Sequence, residues 1–391
     1  MKNLLFDLFT PQHFIGGAGE YIRKVFFSLI DVTKNYSKDI NVIALIDSSK
    51  GFCNYADLSP SSLKQIGISC ADIKGSTLEC ILKEQKIDAV FIGAAQYWGM
   101  SFDISSIKCP VICVVHDLVD EEFATSHINE YLLLDNKFSF YRRELGNVYK
   151  RLIRKQIGIK RMEPVIDLFR NNNRCHIVTV SNYSKNSLIY NFDIDTNRIS
   201  TLYAPERVSK YSDKIENNQL NAIIASNKKY YLMLSANRYT KNPYKAIKAF
   251  NRYAQIVDSN AYLLTVGYPK SLYNNHIILP YLSENDLVHA LKNCYALLFP
   301  SIFEGFGYPP VEAMKYGKPV LASNVTSIPE VLEDAPIYFS PYYESDIFRA
   351  LCTLTEENYG RYSEKSLMQY TEISSRQERD LNKLLNLIIN C

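Results

Sequence analysis

Residues 296–322 read ALLFPSIFEGFGYPPVEAMKYGKPVLA. An apolar run, a glycine loop, a helical stretch and a second apolar run follow one another, the order of a strand–loop–helix–strand unit in a parallel sheet. Ala296–Phe299 and Val320–Ala322 are apolar on both faces, as strands covered by helices on each side are. Pro310–Tyr316 is the helix between them. Gly305 and Gly307 allow backbone N–H groups to approach a ligand closely. Pro310 suits a first helical turn, where its missing N–H costs little. The helix start offers N–H groups and a positive dipole end to an anion. Glu304 before the loop and Glu312 in the first turn after it can accept hydrogen bonds from hydroxyls, as on a vicinal diol or a sugar edge.

The same alternation runs outward in both directions. Strands are expected at Leu4–Leu8, Ile40–Ile46, Ala89–Ile92, Val111–Val115 and His176–Val180, then at Tyr230–Leu234 and Ala261–Val266. Helices are expected at Ala18–Tyr36, Ser76–Gln85, somewhere within Ile128–Arg170, Pro243–Val257 and Glu284–Lys292. The polar, Asn-, Ser- and Lys-rich stretch after Pro205 separates two such series. The expected organisation is a domain at 1–204, a connection at 205–228, a second domain at 229–362 and a helical tail at 363–391. Two doubly wound α/β domains of this kind bind ligands at the carboxyl ends of their strands.

Composition narrows the function classes. Of 391 residues 47% are hydrophobic and 22% charged, the balance of a globular protein. A net charge of +3 gives no argument for nucleic acid. The 29 Tyr are read mainly as ordinary core and surface residues, with sugar or base stacking the alternative. Nine cysteines, an odd number with no CxxC pair, read as reduced core thiols of a cytosolic protein. Six scattered histidines form no zinc pattern. The apolar stretch at the N-terminus is interrupted by Asp7 and is too short for a signal peptide. No run is long enough for a membrane span, so any membrane contact is expected to be peripheral.

Further segments carry candidate chemistry. In SANRYTKNPYKAIKAF, Ser235–Phe250, Arg238 and Lys241 precede a helix with Asn242 as expected N-cap and Pro243 at its first position. Two cations there can neutralise a diphosphate leaving group; the alternative is a pair of solvated loop charges. Gly16, Gly17 and Gly19 in HFIGGAGE form a tight loop suited to phosphate or to plain helix-entry sterics. His116 ends the buried strand Val111–Val115 and so faces the ligand end of the sheet. Ser181 is expected to cap a helix in VTVSNYSKNSL. Between 137 and 174, eleven Lys and Arg outnumber three acids. That excess is either a solvated helix or an attraction to anionic lipid.

The pattern Glu304-x7-Glu312 within EGFGYPPVEAM, followed by GKPVLASNVTSIPEV, resembles the signature of family 4 glycosyltransferases, also called glycosyl transferases group 1. The resemblance implies a GT-B fold: two Rossmann-like domains facing a deep interdomain cleft, with the C-terminal helix returning to the first domain. It implies a retaining enzyme that moves a sugar from a nucleotide diphosphate sugar to an acceptor hydroxyl, with no metal and no other cofactor. On the matching positions, Glu304 lies by the donor sugar hydroxyls and Glu312 bonds the ribose. The backbone of Gly305, Phe306, Gly307 and Tyr308 holds sugar and phosphate oxygens, and Arg238 and Lys241 contact the pyrophosphate. Gly16 and Gly17 look like the loop that closes over the donor, and His116 like the histidine near the reacting carbon. Tyr281 and Leu282 fall where the nucleobase is often touched, although Pro280-Tyr281 replaces a usual glycine. Asp193-Ile194-Asp195 resembles the metal-binding triplet of another glycosyltransferase fold, but is read as a turn. The implied setting is bacterial surface polysaccharide or glycolipid synthesis, in the cytoplasm or on the inner face of the membrane, with a saccharide or lipid-linked acceptor and the 137–174 stretch toward anionic lipid. Two alternatives stay open: a nucleotide-sugar epimerase of the same fold, and a non-catalytic nucleotide-sugar-binding subunit.

Overall fold

The computed structural model describes residues 2–14, 16–35, 40–52, 55–125, 155–207 and 211–391. The chain divides into two compact units. The first contains the described residues up to 125, 155–207 and 376–391; the second contains 211–375.

The first unit is built on seven parallel strands: β1 (Lys2–Asp7), β2 (Ile40–Ile46), β3 (Ser69–Asp72), β4 (Ala89–Ile92), β5 (Val111–Val115), β6 (Cys175–Thr179) and β7 (Ile199–Thr201). Their spatial order is β3-β2-β1-β4-β5-β6-β7. The strand order therefore reverses between β1 and β4, and the loops leaving those two strands open the crevice where such sheets bind ligands. Every residue of β4 and β5 is buried, because helices cover both faces. Phe6 stacks on Phe91 across the β1–β4 pair at 4.7 Å.

The second unit has six parallel strands: β8 (Tyr230–Met233), β9 (Tyr262–Val266), β10 (His276–Leu279), β11 (Ala296–Phe299), β12 (Val320–Ser323) and β13 (Ile337–Phe339). Their order, β10-β9-β8-β11-β12-β13, places the reversal between β8 and β11. Tyr231, Phe250 and Tyr253 pack in its core, and the Tyr230 hydroxyl donates to the Ala290 carbonyl at 2.8 Å. These tyrosines serve as core residues with satisfied polar tips.

The 205–228 stretch is not wholly irregular. Asn218–Ala225 is a helix capped by Asn217, whose side chain accepts from Leu220 N at 2.9 Å. The Asp286 carboxylate accepts from the backbone N–H groups of Glu216 and Asn217, at 2.8 and 3.1 Å. The last helix runs from Glu356 to Asn390, and its 376–390 part belongs to the first unit. There Gln377 donates to Ala204 O at 2.6 Å, and Asp380 accepts from Tyr203 N at 3.0 Å. Leu384, Leu385 and Ile388 are buried.

Cys70 and Cys80 are exposed, which corrects their reading as core thiols, whereas Cys113, Cys175 and Cys294 are buried. Asp193 closes a helix in the left-handed region (φ 46°), and Asp195 accepts from Asn197 N at 3.0 Å, so the triplet is two turn residues around Ile194. Of the basic stretch, 137–154 lies outside the described residues. In the remainder Arg161 pairs with Asp120, and Arg170 donates to Phe192 O at 2.8 Å. Among the described residues no helix is long and apolar enough to cross a membrane.

Candidate functional site

In the second unit the two loops at the strand-order reversal carry the candidate charges. After β8 the chain makes a left-handed residue at Ser235 (φ 54°), then a single 3-10 turn, Tyr239–Lys241. Lys241 N donates to Arg238 O at 3.1 Å. Asn242 follows at φ 53°, a conformation Asn tolerates better than most residues, and Pro243 opens the helix that runs to Ile256. Asn242 stands at the expected cap position but makes no side-chain cap. Its amide instead donates to Pro341 O at 2.8 Å, because the left-handed backbone turns the side chain away from the helix N–H groups.

After β11, Ile302 N donates to Thr240 O at 2.8 Å and ties the second loop to the first. This main-chain link brings the Glu304 carboxylate onto the Lys241 ammonium, where they form an ion pair. Both are well covered: the side chains are 10% and 13% exposed. Lys241 also lies 5.0 Å from the Phe299 ring centroid. A lysine this buried has to be paired, and the pair is placed where a ligand's own anion can share the ammonium's three N–H donors. Arg238 is exposed and begins the same turn.

Gly307 has φ 89°, which favours glycine, and it precedes the helix Tyr308–Met314. Pro309 and Pro310 are that helix's second and third residues, not its opening residue. Two of its first three positions therefore have no N–H to offer. This corrects the expectation of a donor-rich helix start: anion-binding amides have to come from the Gly305–Tyr308 loop itself. Glu312 is the fifth helical residue, half-buried, two positions further in than expected. Phe306 is buried edge-on against Tyr308 at 5.4 Å. Tyr281 is 64% exposed and its hydroxyl donates to Asn237 Oδ1 at 3.3 Å; Leu282 is half-buried beside it.

The segment after β12 holds this loop. The Thr326 hydroxyl, from a residue at φ 55°, accepts from Glu304 N at 3.2 Å, and the Ser327 hydroxyl donates to Glu304 O at 2.9 Å. Ser323 donates to Phe299 O at 3.0 Å. Sequence reasoning quoted SNVTSIPEV as a signature without giving these residues a role. The signal was there, in a hydroxyl residue ending a buried strand and two more within four residues of it.

In the first unit the candidates are Gly16, Gly17 and His116. Gly16 has φ 148°, and its carbonyl accepts from Gly19 N at 3.0 Å, so it starts the helix Gly17–Asn35. Gly19 is needed for packing: a Cβ there would come within 2.5 Å of the Tyr55 hydroxyl. The first turns of this helix lie against His116, whose ring meets Tyr21 edge-on at 4.9 Å. His116 Nε2 bonds the Gly93 carbonyl at 2.9 Å. The Ser184 hydroxyl donates to His116 O at 3.0 Å, and Ser181 caps the helix Asn182–Phe192 through Ser184 N at 3.1 Å. The serine turn read as architectural thus also holds the His116 backbone. In the helix after His116, burial pushes the Glu121 carboxyl up to about 7, with repulsion from Asp120 and Asp117 adding to the effect. Gly16, Gly17 and His116 belong to one compact unit, and Arg238, Lys241, Glu304 and Glu312 to the other.

Burial pushes the His116 imidazole down to about 4, partly offset by the Gly93 bond. Its ordinary value is 6.5. The unfolded chain then takes up this proton at higher pH than the folded chain does. The contribution is present above 6.5 and is lost as pH falls toward 4. The melting-midpoint gap between wild type and His116→Gln is therefore expected to shrink as pH falls through that window. A gap constant with pH would show that His116 titrates normally.

Residues 214–365, all within the second unit, match the family model for glycosyl transferases group 1. The O-antigen chain mannosyltransferase RfbU of Salmonella typhimurium is 30% identical over 182 residues, covering 43% of this chain and 48% of that protein. The serotype-specific mannosyltransferase WbdA of Escherichia coli is 41% identical over 86 residues, 22% of this chain and 11% of that protein. The matched part thus spans about half of the first relative and far less of the second. Among solved structures, Anabaena Alr3699/HepE in complex with UDP superposes with a TM-score of 0.65 over 98% of each chain at 16% identity. WaaG, a glycosyltransferase of lipopolysaccharide biosynthesis, gives 0.61 over 97% of this chain and 98% of its own at 15% identity. The fold is GT-B.

Proposed function

We propose that this chain is a glycosyltransferase that moves a sugar from a nucleotide diphosphate sugar to an acceptor hydroxyl, with retention and without a metal. The observation that carries the reading is the buried Lys241–Glu304 pair on the two loops at the strand-order reversal, inside the segment that matches the family. The donor diphosphate takes up the Lys241 ammonium, Arg238 and the amides of Gly305–Tyr308. These charges stabilise the departing nucleotide, whose negative charge grows in the transition state. Glu304 accepts from donor sugar hydroxyls, Glu312 from the ribose, and Tyr281 and Leu282 border the base. On the first unit, Gly16, Gly17 and His116 are the residues assigned to the acceptor. The relatives' names favour mannose as the sugar transferred and bacterial surface polysaccharide as the product. The 137–174 stretch is the part of this reading that meets an anionic membrane surface.

Thermal-shift measurements with UDP, GDP, ADP and their sugars, followed by transfer assays, test the proposal. One nucleotide is expected to raise the melting midpoint. Glu312→Ala is expected to weaken its binding by roughly 10- to 100-fold, the value of a charge-assisted hydrogen bond. No stabilisation by any nucleotide would overturn the reading. An altered sugar from donor alone would replace it with epimerisation, and stabilisation without turnover on any acceptor with a binding subunit.

A further inference from the structure

The first unit has its own strand-order reversal, between β1 and β4, and a hydrogen bond crosses it. Asp7, the last residue of β1, is fully buried. Its Oδ1 accepts from Thr10 N at 2.9 Å, and its Oδ2 accepts from the Thr10 hydroxyl at 2.7 Å and from Gly93 N at 3.0 Å. Among the described residues these partners are neutral donors, with no cation beside the carboxylate. Such burial is costly, and the three hydrogen bonds to the carboxylate offset part of that cost.

Gly93 is the residue whose carbonyl meets His116 Nε2. A carbonyl only accepts, so Nε2 must carry the ring proton, and Nδ1 keeps the lone pair. Gly93 has little room to pivot between these two bonds. A Cβ on it would lie 2.2 Å from Ile22 Cγ1, so the Cα sits directly against that side chain. Ile22 follows Tyr21, the residue whose ring is edge-on to the imidazole. Gly93 is thus held at its N–H by Asp7 and at its Cα by Ile22, and its remaining polar group sets the tautomer of the histidine.

We infer that Asp7 is a positioning residue for His116: it acts through the Gly93 backbone to fix the orientation of the imidazole and keep its proton on Nε2. Its consequence for turnover rests on the function proposed above; the coupling itself does not. Neither the glycine loop nor the sugar-binding residues supply this restraint.

The test is ¹⁵N NMR of histidine-labelled protein, with the His116 signals assigned by comparison with His116→Gln. Wild type is expected to show the Nε2–H tautomer at neutral pH. Asp7→Asn has the same shape but sets an amide NH₂ against either Gly93 N–H or Thr10 N–H. It is expected to give a mixture of tautomers and to lower kcat by about 10- to 100-fold with donor KM little changed, the pattern of a misplaced group. If Asp7→Asn does not fold, Thr10→Val is used, which keeps the carboxylate and its bonds from Thr10 N and Gly93 N but removes the hydroxyl donor to Oδ2. The same signals should move in the same direction by a smaller amount. An Nδ1–H tautomer in wild type, or wild-type signals in a folded variant, would overturn the inference. A tautomer change in a chain that transfers no sugar would uphold the positioning and sink the functional reading instead.

Discussion

Lys241→Ala is expected to abolish sugar transfer to within a small residue, a loss of about 10²–10³-fold in kcat if one preorganised charge at the leaving group is removed. Activity alone would not identify the cause, because the same substitution leaves the covered Glu304 carboxylate without its partner. Breaking a buried pair from one side destabilises by about 3–5 kcal/mol, whereas replacing both members with neutral residues of similar size is often neutral or better. The informative variant is therefore Lys241→Met/Glu304→Gln. Its melting midpoint should return most of the way to wild type while turnover stays at the level of Lys241→Ala. Recovery of stability without recovery of transfer separates the two roles of the lysine. Recovery of both would mean that the pair only holds the β8 and β11 loops together, and the diphosphate reading of Lys241 would fall.

How much of this was legible from residue order depends on where each element lies in its sheet. All nine interior strands announce themselves as apolar runs, because helices cover both of their faces. The four strands that sequence reasoning missed are Ser69–Asp72, Ile199–Thr201, His276–Leu279 and Ile337–Phe339, and these are the four sheet edges. An edge strand pairs on one side only and is short and often solvated, so it lacks the apolar signal; three of the four residues of Ser69–Asp72 are exposed. Lys241, Glu304 and Glu312 could be picked out by type and spacing. That the lysine faces the acids is an expectation from the sequence; what could not be read was their direct ion pair, which joins residues 63 apart through the Ile302–Thr240 link. The proline pair at 309–310 sits two positions further into its helix than expected, which matters because each proline removes an N–H from the helix start. Asp7 was noted only as an interruption of an apolar stretch. Its chemistry depends on Gly93, 86 residues away, and no local pattern encodes that.

Gly93→Ala is the second large effect, and here the expectation comes from space alone. The new methyl would lie 2.2 Å from Ile22 Cγ1 and 2.6 Å from its Cδ1, distances at which something has to shift. Ile22 is fully buried, and its helix packs on the sheet, so relief by rotation into solvent is closed. Overpacking of this kind costs about 1–3 kcal/mol, which should lower the melting midpoint by roughly 2–10 °C. Gly360→Ala is the control: it lies in the helix Glu356–Asn390 with open space around the added carbon, so it should stabilise slightly. Ile22→Ala removes both clashing atoms at the cost of a cavity of its own. The double variant Gly93→Ala/Ile22→Ala should therefore be less destabilised than the sum of the two singles, by about 0.5–3 kcal/mol. Strict additivity in chemical denaturation would show that the Gly93 backbone relaxes away from Ile22 without resistance. That result would also remove one of the two restraints through which Asp7 is argued to hold His116.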